Sequence, residues 1–140
     1  MALIDTLLAG MVSPEQQTLI EMIIHESAAA HVDPVLAVSV AILESALNPK
    51  AVGDNYTSFG LFQLHKGGEL GAMSESDAFD PVRNTRVALK YFEGVTGDNP
   101  GDIAAAAQRP LYREIYAMTV NTMYPLVKSM MEKLGVYHAE

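Results

Sequence analysis

Cysteine is absent from all 140 residues. That excludes a disulfide scaffold, a thiol nucleophile and a cysteine-ligated zinc. Basic residues are scarce too: 9 Lys and Arg stand against 17 Asp and Glu, a formal net charge of −8. Such a surface repels polyanions, so nucleic acid is not an expected partner. No Lys or Arg precedes Lys50, whereas Asp5, Glu15, Glu21, Glu26, Asp33 and Glu44 all do. A secretory signal needs a positive start, so the apolar opening Met1 to Val12, interrupted by Asp5, does not read as one. Long hydrophobic runs are missing as well. The longest, Pro34 to Leu43, is half of a ~20-residue membrane span and contains Ser39, so no membrane partner is expected. There is no repeat, low-complexity tract or interdomain linker, and residues 1–140 read as one domain.

What is present suits a packed core. The chain is 49% hydrophobic and 19% charged, with mean hydropathy +0.13, too little charge for a disordered segment. Ser13-Pro14, Asp33-Pro34 and Asp80-Pro81 each place a capping side chain before a proline, whose missing N–H costs nothing at the first helical position. After the first, Leu19, Ile20, Ile23, Ile24 and Ala28 keep helical spacing and predict a helix from about Glu15 to Ala30. After the second, Pro34 to Leu43 is apolar on nearly every face, the pattern of a helix buried all round. Val82, Ala88, Leu89 and Phe92 mark a third, ending near Gly94. A fourth helical region is expected from about Asp102 to Leu134, broken at Pro110. Strand signals are weak, apart from a short hairpin between Leu47 and Tyr56. The expected class is all-α.

One segment departs from this pattern. Asn48 to Gly71 is rich in Gly, Asn, Asp and Ser yet holds the apolar run Phe59 to Leu64. A loop of that length in a small domain is usually functional. It follows Glu44, which comes directly after Val38, Val40, Ile42 and Leu43. A partly desolvated carboxylate there has a raised pKa and can stay protonated near neutrality, ready to donate to a glycosidic oxygen. The plainer reading has Glu44 at the helix end, facing water.

The surrounding residues bear on that choice. Glu44-Ser45, Asn48-Pro49, Ala51-Val52 and Ser58-Phe59-Gly60-Leu61-Phe62-Gln63, in this order and spacing, resemble the SLT-type, goose-lysozyme-like lytic transglycosylases. Asp80-Pro81-Val82-Arg83-Asn84, then Ala88, Tyr91 and Phe92, resemble the next helix of that family, so the likeness runs from about His25 to Phe92. The resemblance implies a lysozyme-like fold and no cofactor. It implies Glu44 as the one catalytic carboxylate, cleaving the bond between N-acetylmuramic acid and N-acetylglucosamine in peptidoglycan. Glu44 would protonate the leaving oxygen and then deprotonate the muramic 6-hydroxyl, giving a 1,6-anhydro ring without water. By the same resemblance Ser45 orients the carboxylate or nearby substrate, Gln63 hydrogen-bonds sugar groups, and Gly60 lets the backbone approach the glycan. Ser58 and Phe62 come with the same motif. The family's later Ala-Tyr-Asn-x-Gly segment corresponds here to Ala105-Ala106-Ala107-Gln108-Arg109-Pro110, which lacks the tyrosine. Gln108, Tyr112 or Tyr116 could take its place, or Arg109-Pro110 could be a structural helix end.

Other residues carry weaker signals. Asp54, in the same loop, is the candidate second carboxylate for ordinary hydrolysis, although loop aspartates are usually turn formers. Tyr56, Phe59 and Phe62 could stack on sugars; core anchoring suits the two phenylalanines better, and a groove position suits Tyr56. His65 could flank such a groove or sit exposed. His25, Glu26 and His31 do not make a zinc helix, because the histidines fall on different faces, and no metal is expected. The methionines, among them Met118, Met123, Met130 and Met131, fit core gaps or an interface with another chain.

The expected partner is therefore the peptidoglycan glycan strand. The absent signal and the Gln-Arg-Pro ending are similar to bacteriophage enzymes, which suggests a virion tail or lysis protein acting at the host periplasm or cell wall. A hydrolytic muramidase using the same Glu44 and a non-catalytic glycan-binding or phage structural module are the alternatives.

Overall fold

A computed structural model describes residues 2–138; Met1, Ala139 and Glu140 lie outside the described residues. Seven helices and one small sheet follow in the order α1 (Ala2–Leu8), α2 (Pro14–Ala29), α3 (Pro34–Ser45), β1 (Val52–Gly53), β2 (Ser58–Phe59), β3 (Leu64–His65), α4 (Glu75–Ala78), α5 (Pro81–Lys90), α6 (Pro100–Gln108) and α7 (Arg113–Lys133).

The three expected caps form. Ser13 accepts from the Gln16 N–H while the Gln16 side chain accepts from the Ser13 N–H, a complete capping box. Asp33 accepts from Val35 N at 2.9 Å, and Asp80 from Val82 N at 3.0 Å. A fourth start of the same kind, Asn99-Pro100, opens α6 two residues before the position the apolar pattern suggests. α3 is buried at every position from Val35 to Ile42 and forms the centre of the molecule. It packs between α2 and α7, while α7 also covers α6 and α1, and α2 holds α5. Buried side chains from all these helices, with Phe59, Leu61, Phe62 and Leu64 from the sheet region, make one core.

Several boundaries differ from expectation. α5 ends at Lys90 and continues only as turns to Gly94. Pro110 does separate two helices: Arg109 caps α6 in the left-handed region (φ 51°), as suits a residue barred from α geometry by the following proline. Pro125 lies inside α7 without ending it, held in place by the buried flanking Met123 and Val127. The hairpin does not lie between Leu47 and Tyr56. It joins β1 to β2 and extends to β3 as an antiparallel sheet, with Gly53 opposite Ser58 and Ser58 opposite His65. Two-residue strands leave too little alternation to be read from sequence. α1 and α4 are likewise too short to announce themselves.

Candidate active site

α3 ends in an unusual way. Ala46 and Leu47 both take positive φ (53° and 58°), turning the chain sharply away just after Glu44-Ser45. Asp54, Asn55, Tyr56, Gln63 and Arg109 also sit at positive φ, so among the described residues seven of the eight non-glycine residues in this conformation belong to segments near Glu44. Asp54 and Asn55 take this region readily, but Ala46, Leu47, Tyr56, Gln63 and Arg109 do so at a cost, and strain of this kind gathers where geometry is dictated by a site.

These segments enclose a cleft of about 710 Å³, whose walls include Glu44, Asp54, Gln63, Glu69, Gln108 and Tyr116. Glu44 lies at its base. Gln108 Nε2 donates to Glu44 Oε2 at 3.0 Å, and Tyr116 Oη donates to the same oxygen at 2.8 Å. Gln108 Nε2 also donates to Phe62 O at 3.2 Å. A backbone carbonyl can only accept, so this second bond fixes which way round the amide lies. Among the described residues nothing donates to Glu44 Oε1.

Burial pushes the Glu44 carboxyl above its ordinary value of 4.5, and the charges of Asp54 and Glu69 push the same way; the bonds from Gln108 and Tyr116 oppose them. Burial, then the neighbouring Glu44 charge, raises the Tyr116 hydroxyl as well, so it remains a donor. The site thus holds a carboxyl biased toward its protonated form, with one oxygen clamped by two donors.

Asn84 supports the loop from below. It is fully buried, donates to Phe59 O (3.0 Å) and Ala78 O (2.8 Å), and accepts from Phe62 N at 2.8 Å. It therefore fixes Phe62, whose carbonyl in turn orients Gln108. Gly60 (φ 82°) passes so close that a Cβ there would collide with Asn84 Nδ2 and the Ala78 carbonyl.

Of the residues singled out from sequence, Glu44, Ser58, Gln63 and Gln108 line the cleft together. Others have different surroundings. Ser45 turns its hydroxyl to Ala41 O at 3.0 Å, bonding its own helix rather than the Glu44 carboxyl. Gly60 makes its close approach to Asn84 rather than toward the cleft. Gln63 commits its amide N–H groups to Ala51 O and Gly60 O, which ties the loop together at the cleft wall. Phe62 is buried and contributes its backbone, and Phe59 packs edge-on against Phe79 in the core. Tyr56 is 80% exposed at the hairpin tip and does not line the cleft, because three successive positive-φ residues carry it outward.

Asp54 does face the cleft and accepts from Ser58 Oγ at 2.6 Å; Ser58 Oγ also lies 3.1 Å from His65 Nδ1. Glu69 bridges the opening, accepting from His65 N and pairing with Arg109 at 3.0 Å. Arg109 itself stacks over the Tyr91 ring, 5.2 Å from its centroid. Sequence reasoning gave Glu69 and Asn84 no role here. The signal for the latter is its place at the end of Asp80-Pro81-Val82-Arg83-Asn84, a segment that carries part of the family resemblance.

Of the three substitutes for the family's tyrosine, two meet Glu44 and one does not. Tyr112 stands exposed at the cap of α7, while Tyr116, one turn later, faces inward. Elsewhere, His31 lies past the end of α2 at φ 57° and Glu26 pairs with Arg86 at 2.7 Å. Among the described residues no group of three or more His, Asp or Glu could hold a metal ion, and no helix is long and apolar enough to cross a membrane.

Comparison with curated proteins and with solved structures gives no match. A family model does match: the transglycosylase SLT domain, over residues 21–108. That span runs from within α2 through Glu44 and the sheet to Gln108, leaving Tyr116 beyond it. The helical architecture with its minor sheet is the mostly-α, lysozyme-like fold of that domain. Covering more than half of the chain, the match shows that the protein belongs to the SLT transglycosylase family, whose general activity is cleavage of peptidoglycan glycan strands.

Proposed function

We propose that the protein is a lytic transglycosylase in which Glu44 acts first as general acid and then as general base. The observation that carries this reading is the convergence of Gln108 and Tyr116 on a single carboxyl oxygen. With Oε2 accepting two hydrogen bonds, the proton resides on Oε1. That proton passes to the glycosidic oxygen as its bond to C1 of N-acetylmuramic acid breaks. Positive charge developing at C1 is balanced by the new carboxylate. The carboxylate then removes the proton of the muramic 6-hydroxyl, O6 bonds to C1, and Glu44 is again protonated. No water is consumed, and both proton transfers use one group.

Mass spectrometry of the soluble products from purified peptidoglycan tests the reading. Anhydro-muropeptides, lighter by one water than reducing-end products, are expected. Reducing-end products would instead indicate a muramidase, with Asp54 activating water; its place in the same cleft favours it for that role. Release of neither product would leave a glycan-binding module.

Delivery by a larger assembly, such as a phage tail or lysis apparatus acting in the host periplasm, is part of the same proposal. Peptidoglycan is anionic, so a net charge of −8 does not help the domain hold the wall, and tethering would supply local concentration. Detection of the chain in purified virions would test it.

A further inference from the structure

The small sheet brings three polar side chains of the cleft wall together: Asp54, Ser58 and His65. Ser58, on the central strand, pairs across the ladder with Gly53 on one side and His65 on the other. It is buried, 1% exposed, whereas Asp54 and His65 are exposed. Ser58 Oγ donates to Asp54 Oδ2 at 2.6 Å and lies 3.1 Å from His65 Nδ1. A hydroxyl has one proton, and an ionised carboxylate can only accept. Ser58 therefore directs its proton to Asp54, and His65 Nδ1 carries the proton of the second bond. The residue types are those of a hydrolase triad, but the order is wrong for one. A nucleophilic serine gives its proton to histidine and lies open to substrate, and Ser58 does neither.

From this chain of hydrogen bonds we infer that His65 is a positioning residue, whose ring acts through Ser58 to hold the Asp54 carboxylate in the Glu44 cleft. The inference rests on the reading of Glu44 as the acid, because Asp54 bears on that acid through its charge. Asp54 stands in the turn between β1 and β2 at φ 53°, and among the described residues Ser58 is the only donor to its carboxylate. The bond accepted from His65 fixes the rotation of the Ser58 hydroxyl and polarises it, which strengthens its donation to Asp54. Without the ring the hydroxyl is free to turn, and Asp54, followed by the exposed Asn55 and Tyr56, swings toward water. The charged and titratable groups around Glu44 in the cleft are Asp54, His65, Glu69, Arg109 and Tyr116. The charges of Asp54 and Glu69 both help to hold the Glu44 carboxyl above its ordinary value. Glu69 is anchored separately, by the His65 backbone N–H and by Arg109, so a change in the His65 ring leaves it in place. Outward movement of Asp54 therefore lowers the Glu44 pKa by itself.

NMR titration of the Glu44 carboxyl carbon, identified by its disappearance in Glu44→Gln, tests this without reliance on activity. His65→Ala should move the Glu44 midpoint to lower pH by about 0.5 pH unit, the size expected when a partly screened charge is withdrawn by a few ångströms. Ser58→Ala should move it the same way. His65→Asn, which presents an amide N–H where the ring presents Nδ1–H, should restore the wild-type midpoint. In an Asp54→Asn background, His65→Ala should change nothing further. A midpoint that His65→Ala leaves in place or moves upward overturns the inference. So does a displacement that asparagine fails to correct, or one that persists undiminished in Asp54→Asn. Failure of the Glu44 reading shows separately, as strand cleavage by Glu44→Gln at the wild-type rate.

Discussion

Tyr116 reaches back 72 positions along the chain to donate its hydroxyl to Glu44 Oε2, and Gln108 donates to the same oxygen. The carboxyl is thereby divided into a held oxygen and a working one. Bonds to a carboxylate favour its ionised form, so the two donors restrain the upward pull of burial on Glu44.

Tyr116→Phe removes one donor while keeping the ring. The Glu44 pKa then rises further. A general acid must be protonated in the free enzyme, so the alkaline limb of kcat/KM moves to higher pH. The rate at the optimum falls about tenfold, the worth of one hydrogen bond to a charged group. A pH–rate profile of strand cleavage checks both; a limb displaced downward would contradict the arrangement.

Glu69→Gln should act in the opposite direction. Its charge raises the Glu44 pKa, and its removal lowers it, so the alkaline limb moves to lower pH. The Arg109 ion pair is lost as well. Tyr116→Phe and Glu69→Gln together thus bracket the wild-type profile, and displacement of both to the same side would rule out Glu44 as the group being observed.

Holding Glu44 ready has a cost in stability. Its folded-state pKa is raised, so its contribution is full below the ordinary value of 4.5 and is lost as pH rises through the folded value. Glu44→Gln removes that dependence. Thermal melting at pH 7 should show the variant more stable by about 3 °C, the size of shift given by roughly 1 kcal/mol. The gain should vanish at a pH below 4.5. A variant less stable at pH 7 would count against the burial argument.

Much of the scaffold was legible because its signals are local. Ser13, Asp33 and Asp80 each cap a helix from the position before a proline, and α3 is apolar on all faces because all faces are buried. Glu44 could be read as a desolvated acid for the same reason. The partners of Glu44 could not be chosen among Gln108, Tyr112 and Tyr116, because that choice depends on how the end of α6 and the phase of α7 are set against α3. Gln63 and Gly60 belong to a motif whose residues suggest sugar contacts. Their atoms also meet Ala51 O and Asn84, and those contacts span 12 and 24 positions that no periodicity connects. The strands were hidden by their brevity.

Gly60→Ala tests that internal role. The new methyl would strike Asn84 and the Ala78 carbonyl at a backbone position that already favours glycine. A loss of about 2–4 kcal/mol in denaturant unfolding is expected, along with weaker activity as Phe62 and Gln108 lose their register. Full stability with activity alone reduced would mean that Gly60 serves the substrate rather than Asn84.

The central claim is that a single carboxyl, Glu44, performs both proton transfers. The direct measurement is release of soluble muropeptides from purified peptidoglycan by the wild type and by Glu44→Gln, with circular dichroism confirming that both are folded. The amide keeps the size of the side chain and removes only the proton that is transferred. The account predicts anhydro-muropeptides from the wild type and a loss of about 10³-fold or more in the folded variant. Release at the wild-type rate by Glu44→Gln would contradict it.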